Sequence, residues 1–90
     1  MVTAFVLINV QDRNVQKIGD ELLGHEGVKE AHVVAGEYDM VAVVRVADNS
    51  TLSHLITNEI AHIDGVERTK TLFALQSFSA YDLSSIFDVI

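Results

Sequence analysis

His25–Val34 reads HEGVKEAHVV, and Ile63–Leu72 reads IDGVERTKTL. Both stretches run an acidic residue, Gly-Val, a charged pair and then a strand-like segment. The offset is 38 residues, which sets Gly27 on Gly65, Val28 on Val66 and Val33 on Thr71; upstream it sets Ile18 on Ile56 and Leu22 on Ile60. A period of that length is one supersecondary unit used twice.

Each unit reads as strand, helix, strand. Val2–Val10 is rich in β-branched and aromatic residues and reads as a strand. Asp12 or Asn14 caps a helix start, Val15, Ile18 and Leu22 follow at helical spacing, and Gly24 stops the helix. Val28–Ala35 is strand two, Gly36-Glu37-Tyr38-Asp39 a turn, and Met40–Ala47 strand three. Asp48-Asn49-Ser50 supplies caps for a second helix, lined on one face by Leu52, Leu55, Ile56, Ile60 and Ile63. Val66–Phe78 is strand four. In the tail SAYDLSSIFDVI, Leu83, Ile86, Phe87 and Ile90 fall at i, i+3, i+4 and i+7, the spacing of a short amphipathic helix. The order βαββαβ predicts an α+β, ferredoxin-like fold: a four-stranded antiparallel sheet with two helices on one face. No Pro and no Gly/Ser-rich stretch marks a linker, so one domain over 1–90 is expected, with a strand-rich core about 2–78 and a tail about 79–90.

Helices cover one face of such a sheet, and the other should then turn polar. It largely does not. Val2, Ala4, Val6, Ile8 and Val10 point one way, and Phe5 and Leu7 the other; Met40, Ala42, Val44 and Val46 oppose Val41 and Val43. An apolar patch of that extent is unusual on a monomer. The simplest cover is the same sheet of a second copy, in an isologous homodimer. Size points the same way: 90 residues bury a thin core, yet 49% of them are hydrophobic and none is Cys.

The totals also exclude classes of function. Without Cys there is no disulfide scaffold, no Cys₄ zinc site and no cysteine nucleophile. A net charge of −7, with no Lys/Arg cluster to reverse it locally, argues against direct nucleic-acid binding. No apolar run approaches the ~20 residues of a membrane helix. The N-terminal MVTAFVLINV lacks the basic start of a signal peptide, so a cytoplasmic location is expected. Nucleophile-elbow, zinc-protease, P-loop and dinucleotide motifs are absent. His25, His32, His54 and His62 show no metal-like spacing, so neither a metal nor a catalytic residue is expected. Glu26 and Asp64 open the Gly-Val turns as solvated residues.

The turn Gly36-Glu37-Tyr38-Asp39 carries different chemistry. Glycine lets backbone approach a ligand closely, and successive N–H groups in such a turn form a nest for an anion. Asp39 brings a negative charge to the mouth of strand three, and Tyr38 a ring and a hydroxyl. A free amino acid needs this set: donors for its carboxylate, an acceptor for its ammonium and apolar walls. An ordinary β-turn has the same composition. Thr69 and Thr71 on strand four add hydroxyls, although Thr is also simply a good strand former.

AFVLINV, GVKEAHVVAGEYDMVAVVRVAD and IDGVERTKTLFAL together resemble the effector-binding (RAM) domain of the leucine-responsive regulator/AsnC, or feast/famine, family, from about Val2 to Phe78. Ile63-Asp64-Gly65-Val66 lacks the proline often found before that glycine. The resemblance implies sheet-to-sheet dimers assembling into octamers or decamers, no cofactor, and a small amino acid bound between dimers near the turn. It implies Asp39 as the ammonium partner and Gly36 with Tyr38 on the carboxylate side; Glu37 varies within the pattern, and Thr69 and Thr71 come from the matching strand. Members usually carry an N-terminal helix-turn-helix domain, whereas this sequence opens on strand one, so a stand-alone sensor is expected, acting on a full-length regulator or on another partner. Two other readings stand beside it: a cofactor-free monooxygenase-like enzyme with a cavity between sheet and helices, and a purely structural oligomerisation domain.

Overall fold

Residues 1–12 and 14–80 are described in the computed structural model. Period-two alternation sets β1 (Val2–Val10): Ala4, Val6, Ile8 and Val10 are buried, and Thr3, Phe5, Leu7 and Asn9 take the opposite face. β3 (Met40–Val46) does the same, burying Met40, Ala42, Val44 and Val46. These two form the centre of a four-stranded antiparallel sheet of order β2-β3-β1-β4, with β2 spanning Val28–Val33 and β4 Val66–Phe73. The sheet is open, with β2 and β4 as its edges.

One face carries the helices. From α1 (Val15–Leu23), Ile18 and Leu22 are fully buried against the strands. The second helical segment is not one regular helix. α2 (Asn49–His54) passes into a π-turn over Leu55–Glu59 and then a 3₁₀ turn over Ile60–His62. Its buried positions are Leu52, Leu55, Ile60 and Ile63. The step from Leu55 to Ile60 is five residues, which an α-turn cannot keep on one face and a widened turn can. Ile56, expected on that face, is only half-buried.

The caps differ between the helices. Asp48 accepts the Thr51 backbone N–H at 2.8 Å, an N-cap bond. Asn14 precedes α1 but makes no side-chain cap bond. Gly24 ends α1 in a right-handed conformation, and the left-handed residue is Gly27 instead.

The duplication extends to backbone detail. Gly27 (φ 102°) and Gly65 (φ 97°) hold the same conformation. The carbonyl of each accepts a 2.8 Å bond, from Arg45 N–H in β3 and from Gln11 N–H just past the end of β1 respectively. A β-bulge then leaves Lys29 extra in β2 and Glu67 extra in β4, residues again 38 apart.

Three strands are shorter than expected: β2 ends at Val33 rather than Ala35, β3 at Val46 rather than Ala47, and β4 at Phe73 rather than Phe78. The expected tail helix over Leu83–Ile90 lies outside the described residues.

On the face without helices, the register builds two rows, His32–Val41–Leu7–Lys70 and Glu30–Val43–Phe5–Leu72. The middle of each is apolar and three of the four rim residues are polar. Phe5 is 38% and Leu72 45% exposed.

Candidate functional site

The β2–β3 turn sits at the end of the sheet where β1 finishes and β4 begins. Its last residue is fixed at three points. Asp39 N–H donates to the Ile8 carbonyl and its own carbonyl accepts from Val34 N–H, both at 2.9 Å. Its Oδ2 accepts the Val10 N–H, also at 2.9 Å. The carboxylate thus satisfies a half-buried backbone donor and holds a charge at a defined place. Glu37 contributes its backbone rather than its side chain: its carbonyl accepts a 3.0 Å bond from Asn9 Nδ2.

Asn9 links the turn to the far edge of the sheet. Its Oδ1 accepts from Arg68 Nε at 3.3 Å and Nη2 at 3.2 Å. The Arg68 guanidinium lies over the Tyr38 ring, 6.0 Å from its centroid, at cation–π range. Register explains the grouping. Ile8 pairs with Met40, which brings Asp39 beside Asn9, and Asn9 pairs with Arg68. Asp39, Asn9 and Arg68 therefore form one row across β3, β1 and β4, on the helix-free face. The bulge at Glu67 lies directly before Arg68, where an extra residue re-aims the strand.

Gly36 is distinct from the other left-handed glycines. A Cβ on Gly27 would meet Val46 Cγ1 at 2.8 Å, and one on Gly65 would meet Ile18 Cδ1 at 3.0 Å. Those two serve packing within the fold. Gly36 has φ 141°, yet a Cβ there would meet nothing within 4 Å. The chain keeps a bare backbone, in a conformation only glycine adopts freely, facing open space.

Beside the turn, a groove of about 210 Å³ runs between α1 and the edge of β2. Val15, Gly19, Leu23, Ala31, Val33 and Met40 give it an apolar wall, and Gln16 and Asp20 a polar lip. Val33 and Met40 bracket the turn in sequence.

Of the residues expected at the site, Gly36, Glu37, Tyr38 and Asp39 come together. Thr69 and Thr71 do not join them. They pair with Ile8 and Val6 on the helix-side rows of β4 and are half-buried there. Asn9 and Arg68 were not anticipated. The available signal was Asn9 itself, a polar residue at the end of an otherwise apolar run, at a position facing away from the helices.

The duplication supplies an internal control. Shifting by 38 turns Asn9 into Ala47 and Arg68 into Glu30. Glu30 bonds His32 on its own strand at 2.7 Å. The fold therefore does not demand the polar row; only one of the two equivalent ends of the sheet carries it.

Elsewhere, His25 Nδ1 meets Glu59 Oε1 at 2.7 Å, joining the end of α1 to the π-turn. Among the described residues no group of three or more His, Asp or Glu side chains is arranged to hold a metal ion, and no helix is long and apolar enough to cross a membrane.

Comparison with known proteins places this geometry. A family model, the Lrp/AsnC ligand binding domain, matches residues 3–83. The transcriptional regulator FL11 of Pyrococcus furiosus is 28% identical over 75 residues, covering 83% of this chain and 49% of the regulator. The chain thus spans about half the length of the curated relatives it matches. Among solved structures, TTHA0845 of Thermus thermophilus is 40% identical with a TM-score of 0.81, covering 88% of this chain and 99% of that one. A feast or famine regulatory protein of M. tuberculosis, solved in complex with L-methionine, is 31% identical with a TM-score of 0.76, covering 89% of this chain and 54% of that one.

Proposed function

This chain belongs to the Lrp/AsnC ligand-binding-domain family, and on that premise we propose that it is a regulatory module that binds a free amino acid at the Gly36–Asp39 turn. The observation that carries the reading is Gly36: a glycine-only backbone conformation that no packing inside the chain requires, directly beside a carboxylate held in place. Asp39 takes the effector's ammonium, and the bare turn lets its backbone approach. The L-methionine bound to the mycobacterial relative supports an effector of that class. The protein is a sensor and not an enzyme, and it needs no cofactor. It works in the cytoplasm, in homodimers that gather into octamers or decamers. It acts on transcription by co-assembling with a full-length regulator of its family rather than by touching DNA itself, which its charge of −7 disfavours.

Binding to the native state alone raises stability by mass action, by about 2.7 kcal/mol at a hundredfold excess over Kd. Thermal melts with a panel of the twenty amino acids should therefore show a raised Tm for a few, L-methionine among them. A flat panel overturns the proposal. Turnover of any of them would favour the enzyme reading instead.

A further inference from the structure

We propose that Arg68 is a second charged anchor of the effector site, taking the α-carboxylate of the amino acid whose ammonium Asp39 holds. The inference rests on the function proposed above and adds a residue, and a ligand chemistry, to it.

A zwitterion presents opposite charges on one small centre. The row Asp39–Asn9–Arg68 offers carboxylate, neutral amide and guanidinium in that order, on one face of the sheet. Neighbouring strands are about 5 Å apart, so the two ends of the row lie within reach of one small ligand once the long arginine side chain folds back over Asn9. It does fold back: two of its N–H groups are spent on Asn9 Oδ1, and its plane lies over Tyr38. These contacts fix the guanidinium at the turn and leave its charge uncompensated, because no ion pair to a carboxylate is formed by Arg68 among the described residues. A fixed arginine fork matches a carboxylate with two parallel bonds. In a chain of net charge −7, an exposed cation bonded to Asn9 beside the turn sets a local preference for an anionic group. The equivalent end of the sheet, which lacks the turn, places Glu30 at the corresponding position, so the cation accompanies the turn and not the fold.

The test uses ligand pairs. Isothermal titration of the full chain with L-methionine and with L-methioninamide, which keeps the ammonium and loses the carboxylate charge, gives a discrimination ratio. For the native sequence the acid is expected to bind about ten- to a hundredfold tighter, the worth of one charge-assisted pair. In Arg68→Gln that ratio should fall to near one, and Arg68→Lys should restore part of it. A merely structural role for Arg68 would weaken both ligands equally and leave the ratio intact; that result overturns the inference while leaving the amino-acid site standing. An unchanged ratio together with a lowered particle mass would make Arg68 an interface residue and overturns it equally. If neither ligand nor any other amino acid binds the native chain, the site and its second anchor fall together.

Discussion

At the scale of single residues, three glycines with positive φ do different work, and substitution separates them. Gly27→Ala forces a side chain into the left-handed region and sets its Cβ 2.8 Å from Val46 Cγ1. Backbone strain of about 1–3 kcal/mol adds to overpacking of about 1–3 kcal/mol. Gly36→Ala meets no neighbour, so the strain alone remains. Urea melts should therefore rank Gly27→Ala well below Gly36→Ala, while titration with L-methionine should show the larger loss in Gly36→Ala. Equal binding by Gly36→Ala and the native chain would remove the turn's claim to the ligand. Asp39 permits a cleaner cut, because its carboxylate has two jobs. Asp39→Asn keeps an oxygen for the Val10 N–H and loses the charge, so stability should hold within about 1 kcal/mol while L-methionine binding falls at least tenfold. Asp39→Ala strips the Val10 donor of its partner and should also destabilise the fold, by about 1–3 kcal/mol. Binding that survives in Asp39→Asn would show that the residue is only a brace for the end of β1.

At the scale of elements, the N-cap of α2 ties stability to pH. The Thr51 backbone N–H, and then its side chain, hold the Asp48 carboxyl below its ordinary value. A carboxyl with a lowered folded-state pKa stabilises the fold above its unfolded pKa of about 3.9, and that stability is lost as pH falls through the folded value. Asp48→Ala should thus melt below the native chain at neutral pH, with the gap closing as pH drops under about 4. A gap independent of pH would mean that the cap acts through shape and not charge. The elements were also the scale most legible in the sequence. Period-two alternation in Val2–Val10 and Met40–Val46, and the 38-residue echo, are local patterns, and both appear in the sheet. What was misread depends on distant partners. Val34 favours a strand, but the ladder stops at the Val34 N–H to Asp39 carbonyl bond, because β3 begins there. The β4 ladder likewise closes at the Ala74 N–H to Thr3 carbonyl bond, at the start of β1. The π-turn was half visible: the five-residue step from Leu55 to Ile60 is in the sequence, but Ile56 between them suggests an ordinary helix face. The turn Gly36–Asp39 was legible from composition, and its partner Arg68 was not, since it lies 59 residues from Asn9 and only register unites them.

At the scale of the whole molecule, the helix-free face calls for a cover. Phe5, Leu7, Val41 and Val43 form its centre, and Glu30, His32, Arg68 and Lys70 lie around them. An apolar centre inside a polar rim is the anatomy of a protein–protein contact. The rims are unlike: β2 brings Glu30 and β4 brings Lys70 and Arg68. Stacking two copies about a two-fold axis parallel to the strands sets the β2 edge of one over the β4 edge of the other, so opposite charges meet. The alternative axis, across the strands, sets like over like and carries a repulsive cost. Light scattering should give the native chain a mass that is an even multiple of 9.9 kDa. Phe5→Lys sets two cations near the axis in the driest part of the contact and should return the mass to that of one copy. Swapping the rims tests the axis: Glu30→Lys alone should weaken assembly, and Glu30→Lys with Lys70→Glu should recover it. Recovery failing in the double variant, with the native chain still dimeric, would favour the other axis. Because the Gly36–Asp39 turn lies at the end of this same sheet, Phe5→Lys also tests whether the proposed site is completed by a neighbouring copy. Loss of L-methionine binding together with mass would show that a neighbouring copy supplies part of the pocket, and binding retained by a folded single copy would confine the whole site to one chain.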